Sequence, residues 1–133
     1  MKRVAMFACG LVATACMASP AMALPVFKSA FEEYYNLKEP QTDAEKSLAA
    51  AVGEAKCNTC HKGKSKKERN AYGDELHKYL EKDNFKKERV TAEPAKVKEE
   101  IEAALKKAEE GAAAGGKTFG ELLKAGQLAA PAE

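Results

Sequence analysis

Residues 42–61 read Thr42-Asp43-Ala44-Glu45-Lys46-Ser47-Leu48-Ala49-Ala50-Ala51-Val52-Gly53-Glu54-Ala55-Lys56-Cys57-Asn58-Thr59-Cys60-His61. Thr42 and Glu45 have the spacing of a capping box, in which each side chain satisfies the other's free backbone N–H. Leu48, Ala51, Val52 and Ala55 then recur at three- and four-residue intervals, which is one face of a helix running to about Lys56. That helix delivers the chain to two cysteines and a histidine.

The same helical period holds on both sides of this stretch. Few residues are β-branched, and no sustained alternation of period two suggests a sheet, so the expected class is all-α with about four to five helices. Phe27, Phe31, Tyr34 and Tyr35 form an aromatic stripe on a short first helix, which Pro40 is expected to end by disfavouring helical backbone at Glu39. Lys62 to Arg69 reads as a polar loop. Asn70 reads as an N-cap for a third helix with Tyr72, Leu76, Tyr79 and Leu80 on its buried face and Gly73 weakening its first turn. Lys82 to Thr91 is charged and reads as surface. Pro94 suits a first helical turn, and Val97, Ile101, Ala104, Leu105 and Ala108 mark the longest helix, stopped by Gly111. Gly111 to Lys117 reads as a flexible connector, Thr118 and Glu121 as a second capping box, and Phe119, Leu122 and Leu123 as anchors of a last short helix before Gly126.

The chain of 133 residues carries 22 Lys and Arg, 20 Asp and Glu, 4 Cys, 2 His and no Trp. Its first 23 residues have the layout of a secretory signal: Lys2 and Arg3, the apolar run Val4 to Met17, then Ala21-Met22-Ala23 as a cleavage site. An uncleaved anchor over Val4 to Leu24 and lipidation at Cys16 are lesser readings of the same end, the residues before Cys16 matching a lipoprotein site poorly. Cleavage after Ala23 removes two basic and no acidic residues, and the charges then balance. An exported, formally neutral chain excludes a nucleic-acid partner held by charge, and once the signal is gone no membrane span is expected. Cys9, Cys16 and all four Met residues leave with the signal, and Cys57 and Cys60 stay. From residue 24 onward only 22 positions are Leu, Val, Ile, Phe or Tyr. That is thin for several helices, and suggests that something besides side chains fills the core.

Cys57-Asn58-Thr59-Cys60-His61 is the C-x-x-C-H attachment pattern of haem c. Two thiols at this spacing each add to one vinyl group of the porphyrin as a thioether, and the adjacent imidazole binds iron from the proximal side. Three other chemistries use such cysteines. A thioredoxin-like dithiol places its first Cys at a helix N-terminus beyond a strand, whereas Cys57 follows a helix C-terminus. A structural disulfide gains more from a longer loop. Zinc needs further ligands, and only His77 remains.

Residues 42–73 resemble the small class I c-type cytochromes, in which a helix runs into the haem-binding motif and a later Asn-x-Tyr/His-Gly turn, here Asn70-Ala71-Tyr72-Gly73, passes the ring. The likeness covers about a quarter of the chain. It implies a helical bundle wrapped around one covalent haem, with an early and a late helix packed together, the late one being Pro94 to Glu110. It divides the chain into a signal (1–23), an N-terminal helical extension (24–41), a haem domain (42–125) and a loose tail (126–133). In that family a Pro carbonyl just before the Asn receives the proximal His N–H; here the preceding residue is Arg69, which leaves the partner of His61 open.

Members of the family usually hold the far side of the iron with Met, and this chain has no Met beyond the signal. His77 is one candidate sixth ligand, and bis-His ligation would place the potential lower than His/Met ligation does. It lies about 100° around its helix from Leu76, at the edge of the apolar face, where an unligated boundary histidine is equally at home. Tyr34 or Tyr35, a Lys, or an open position are the other choices. Lys62, Lys64, Lys66, Lys67 and Arg69 stand against Glu68, a local charge of +4 beside the motif. Such a loop either steers an acidic redox partner or is an ordinary solvated loop. The expected function is single-electron transfer between redox proteins, with no substrate transformed. The alternatives are a gas-binding or weakly peroxidatic haem protein with a labile sixth site, and a helical binding module in which the cysteine pair is incidental.

Overall fold

The computed structural model describes residues 25–131. The expected signal at residues 1–23, with Cys16, lies outside the described residues, as do residue 24 and the last two. In chain order come α1 (Pro25–Tyr34), α2 (Asp43–Ala55), a 3₁₀ turn (Lys56–Thr59), β1 (His61–Lys62), β2 (Glu68–Arg69), α3 (Ala71–His77), a second 3₁₀ turn (Lys82–Phe85), α4 (Lys87–Ala92), α5 (Pro94–Ala108), a third 3₁₀ turn (Ala114–Gly116) and α6 (Phe119–Lys124). The described chain is mostly helical, with six α-helices rather than four to five. Among the described residues no helix is long and apolar enough to cross a membrane.

Both capping boxes form, Thr42 with Glu45 and Thr118 with Glu121. The long helix α5 starts on Pro94 and buries Val97, Ile101, Ala104, Leu105 and Ala108, the full face expected. Burying Val97, Ile101 and Leu105 contributes on the order of 1.5–3 kcal/mol each. One core runs through the molecule, from Phe31 and Tyr35 to Leu48, Val52, Tyr72, Leu76, Phe119 and Leu123. The Tyr72 ring stands edge-on to Phe31 and Phe119, with centroids at 6.3 and 5.4 Å. Ala30, Ala104, Ala108, Ala129 and Ala130 are buried as well, and small residues let neighbouring backbones approach.

Several expectations are corrected. The first helix does not run to Pro40: it ends at Tyr34, where Asn36 takes a left-handed conformation (φ 54°). Leu37 N–H then reaches back to the Glu32 carbonyl at 2.7 Å and Asn36 N–H to that of Glu33 at 3.1 Å, a Schellman stop sealed by buried Leu37. The polar loop Lys62 to Arg69 is a hairpin, with His61 opposite Arg69 and Lys62 opposite Glu68. Tyr79 is 41% exposed, because α3 ends at His77 before its face reaches that far. Phe85, in the segment read as surface, is buried against Phe27 with centroids 5.0 Å apart.

The glycine connector is folded. An antiparallel bridge joins Ala112 to Thr118, and Ala113 N–H donates to the Lys117 carbonyl at 2.8 Å. Gly115 and Gly116 supply the positive φ that this turn needs. Nor is the tail loose as far as it is described: Gly126 (φ 81°) turns the chain back and Ala129 and Ala130 are buried. Finally, α5 packs mainly on α1, α3 and α4, while α2, which leads into the motif, packs on α6. The early helix paired with Pro94–Ala108 is therefore α1, and residues 25–41 share the core of the rest.

Candidate functional site

Helix α2 stops at Lys56, whose positive φ (52°) swings the chain out of the helix. Cys57, Asn58 and Thr59 continue as the 3₁₀ turn, closed by Cys60 N–H on the Cys57 carbonyl at 3.2 Å. Both thiols are free; Cys57 is exposed and Cys60 half-buried. Burial, with Cys57 nearby, pushes the Cys60 thiol up to about 12, so it stays protonated at neutral pH. That is the reverse of an activated dithiol, whose nucleophile needs a lowered pKa.

His61 opens the hairpin. Its Nδ1 lies 3.2 Å from the Glu68 carbonyl oxygen. A carbonyl only accepts, so this contact puts a proton on Nδ1, and in the neutral ring Nε2 then has the lone pair. This is the arrangement that an imidazole ligand needs, with the outer nitrogen oriented by a backbone acceptor. The carbonyl that the sequence left open therefore belongs to Glu68, two residues before Asn70. Lys66 reaches across the hairpin to the Asn58 side-chain oxygen and to the Gly63 carbonyl at 2.7 Å.

Asn70 fastens this hairpin to the cysteine turn. Its side chain caps α3 through Gly73 N–H at 2.9 Å and donates to the carbonyls of Asn58 and Thr59, at 3.1 Å each. Its own N–H donates to the Cys60 carbonyl at 3.1 Å. Asn70 itself is 2% exposed. A Cβ at Gly73 would fall 2.0 Å from the Cys60 carbonyl oxygen. Gly73 is thus no flaw in α3 but the condition for laying α3 on the motif.

Thr59 Oγ1, within the motif, and Tyr72 Oη, in the core, are buried without a hydrogen-bond partner among the described residues. Free thiols three residues apart and an imidazole with Nε2 turned from its backbone acceptor are the donor set that a covalently held haem would use. Among the described residues no group of three or more His, Cys, Asp or Glu could hold a metal ion with side chains alone.

The other predicted site residues lie apart from this geometry or join it only at its rim. His77 ends α3 and is exposed. Arg69 pairs with Asp74 at 3.2 Å, and Lys66 is engaged by Asn58, so Lys64 and Lys67 are the exposed cations of the basic run. Tyr35 is held in the core by Glu109, its hydroxyl donating to Oε1 at 3.1 Å. The sequence gives no sign of the Glu68 carbonyl, a backbone atom that carries no side-chain signal, and it marks Lys66 only as a cation of the basic run, because its reach to Asn58 depends on the hairpin. Two grooves, of about 330 and 370 Å³, lie on other faces, and none of Cys57, Cys60 and His61 lines either. No family model, curated protein or solved structure matches this chain.

Proposed function

We propose that this chain is an exported monohaem c-type cytochrome that carries single electrons between redox proteins. The observation that carries the reading is the hydrogen bond from His61 Nδ1 to the Glu68 carbonyl, beside two free thiols at the C-x-x-C spacing. Bound haem would supply a one-electron Fe(III)/Fe(II) couple. Cys57 and Cys60 would hold it by adding their S–H groups across its two vinyl groups, and His61 Nε2 would be the proximal ligand. The hairpin, clamped by Asn70 and Lys66, would keep the imidazole from rotating and so limit rearrangement as the iron changes charge. Lys64 and Lys67 would steer an acidic partner toward this end of the molecule, raising the encounter rate more than the affinity. No residue is assigned to bond making on a substrate.

A second reading, a gas-binding or weakly peroxidatic haem protein, is favoured by one observation: there is no Met after residue 22, and the one other His is exposed at the end of α3. Optical spectra of the purified protein, oxidised, reduced and reduced under CO, separate the two. An electron carrier gives low-spin bands that CO leaves unchanged, and loss of those bands in His77→Ala would assign the sixth ligand. High-spin bands with rapid CO uptake would place the labile-site reading first.

A further inference from the structure

Electron transfer at the motif leaves two buried titratable side chains unused, Tyr35 and Tyr72. Tyr72 sits in the first turn of α3, the turn that lies on the Cys60 carbonyl. From its ring the aromatic contacts run on through the core: to Phe31 at 6.3 Å, from Phe31 to Tyr35 at 4.8 Å, and from Tyr35 to Tyr34 at 4.9 Å. The series ends at the groove of about 330 Å³, which Tyr34, Tyr35, Glu109 and Lys124 line. Glu109 faces both Tyr34 and Tyr35 at this end of the series, and the Tyr72 hydroxyl also faces that of Tyr35. The Tyr35 hydroxyl donates to Glu109 Oε1 at 3.1 Å, and the other carboxylate oxygen is held by Lys124 at 2.6 Å.

We propose that Tyr35 is a redox-active tyrosine, whose phenolic proton passes to Glu109 when its ring gives up an electron to a strong one-electron oxidant. The O–H bond breaks, the proton goes to Glu109 Oε1, the electron goes to the oxidant, and a neutral phenoxyl radical stays on Tyr35. Reduction by one electron returns the proton. A phenol that has lost an electron is a strong acid, so a carboxylate paired with Lys124 is base enough. Tyr35 is 9% exposed, so most of its ring is packed in the core while its hydroxyl meets the Glu109–Lys124 pair at the groove. Tyr79 makes the contrast: its hydroxyl also donates to a carboxylate, Glu75 at 3.0 Å, but on the surface. The device stores an oxidising equivalent one aromatic series away from Cys60, and does not require haem to be tested.

The test is flash photo-oxidation of the full chain by a ruthenium tris-bipyridine complex and a sacrificial cobalt(III) acceptor, any bound haem being oxidised beforehand. Electron paramagnetic resonance should show a long-lived neutral tyrosyl radical, present in Tyr79→Phe and absent in Tyr35→Phe. Glu109→Gln keeps every ring in place, and should slow radical formation about a hundredfold, the low end of what a positioned base contributes. It also decides the matter if Tyr35→Phe folds poorly. An unchanged formation rate in Glu109→Gln, or a signal that disappears with Tyr79, overturns the proposal.

Discussion

The ring Nδ1 of His61 stands 3.2 Å from the carbonyl oxygen of Glu68, seven residues further along the chain. The contact exists because β1 and β2 pair antiparallel with His61 opposite Arg69, which brings the carbonyl before Arg69 alongside the imidazole. The proximal partner is thus a product of hairpin register. A shift of register by one residue would turn His61 to the other face.

The clamp of this register is Asn70. Asn70→Ala removes a helix cap and two side-chain donors together, and leaves the Asn58 and Thr59 carbonyls short of a partner. Urea denaturation should show a loss of about 2–3 kcal/mol. Thr118→Ala, which removes only a cap on α6, should lose about 1 kcal/mol.

Two glycines separate a close approach from plain flexibility. Gly73→Ala forces a Cβ toward the Cys60 carbonyl, at a built distance of 2.0 Å, so α3 must lift off the motif, at a loss of about 2 kcal/mol or more. Gly53 lies inside α2 with nothing within 4 Å of an added Cβ, and Gly53→Ala should stabilise by about 0.4–1 kcal/mol. Thermal unfolding of the two variants should give shifts of opposite sign.

What the sequence could reveal was whatever rests on local pattern. The buried face of α5, both capping boxes and the cap at Asn70 follow from spacing alone. What stayed hidden depends on partners distant in the chain. Phe85 reads as a lone aromatic among charges until Phe27 is placed against it, and Gly73 reads as a weak point until the Cys60 carbonyl is seen above it. The residues of the motif are plain in the sequence, but the acceptor that orients His61 is not: Glu68 contributes a carbonyl, and any residue would supply one. The stop at Asn36 was overlooked because Pro40 offered a more familiar signal.

Glu33 ties α1 to α5, accepting from Lys38 at 2.8 Å and from Lys98 at 2.5 Å. These two cations, Lys38 foremost, hold its carboxyl down at about 2. A carboxylate depressed in the folded state contributes stability above its ordinary value near 4.5, and that contribution is lost as pH falls toward 2. Carboxyl carbon chemical shifts should place the Glu33 midpoint well below the ordinary glutamate value near 4.5. High salt should narrow the gap.

Lys64 and Lys67 are the exposed cations of the hairpin. Replacing both by Glu should slow oxidation of the reduced protein by an anionic reagent such as ferricyanide several-fold at low ionic strength, with the difference shrinking in high salt. Stopped-flow rates over a salt series measure it. Equal rates in the variant and the parent at low salt would remove these lysines from the docking surface.

The most direct test of the account is whether haem is covalently joined to Cys57 and Cys60. The protein should be expressed with haem-maturation machinery, extracted with acidified acetone, and the polypeptide weighed intact. The account predicts a mass increased by one haem, a haemochrome that stays with the polypeptide, and no titratable thiol at either cysteine. A colourless chain of unmodified mass with both thiols free would contradict it.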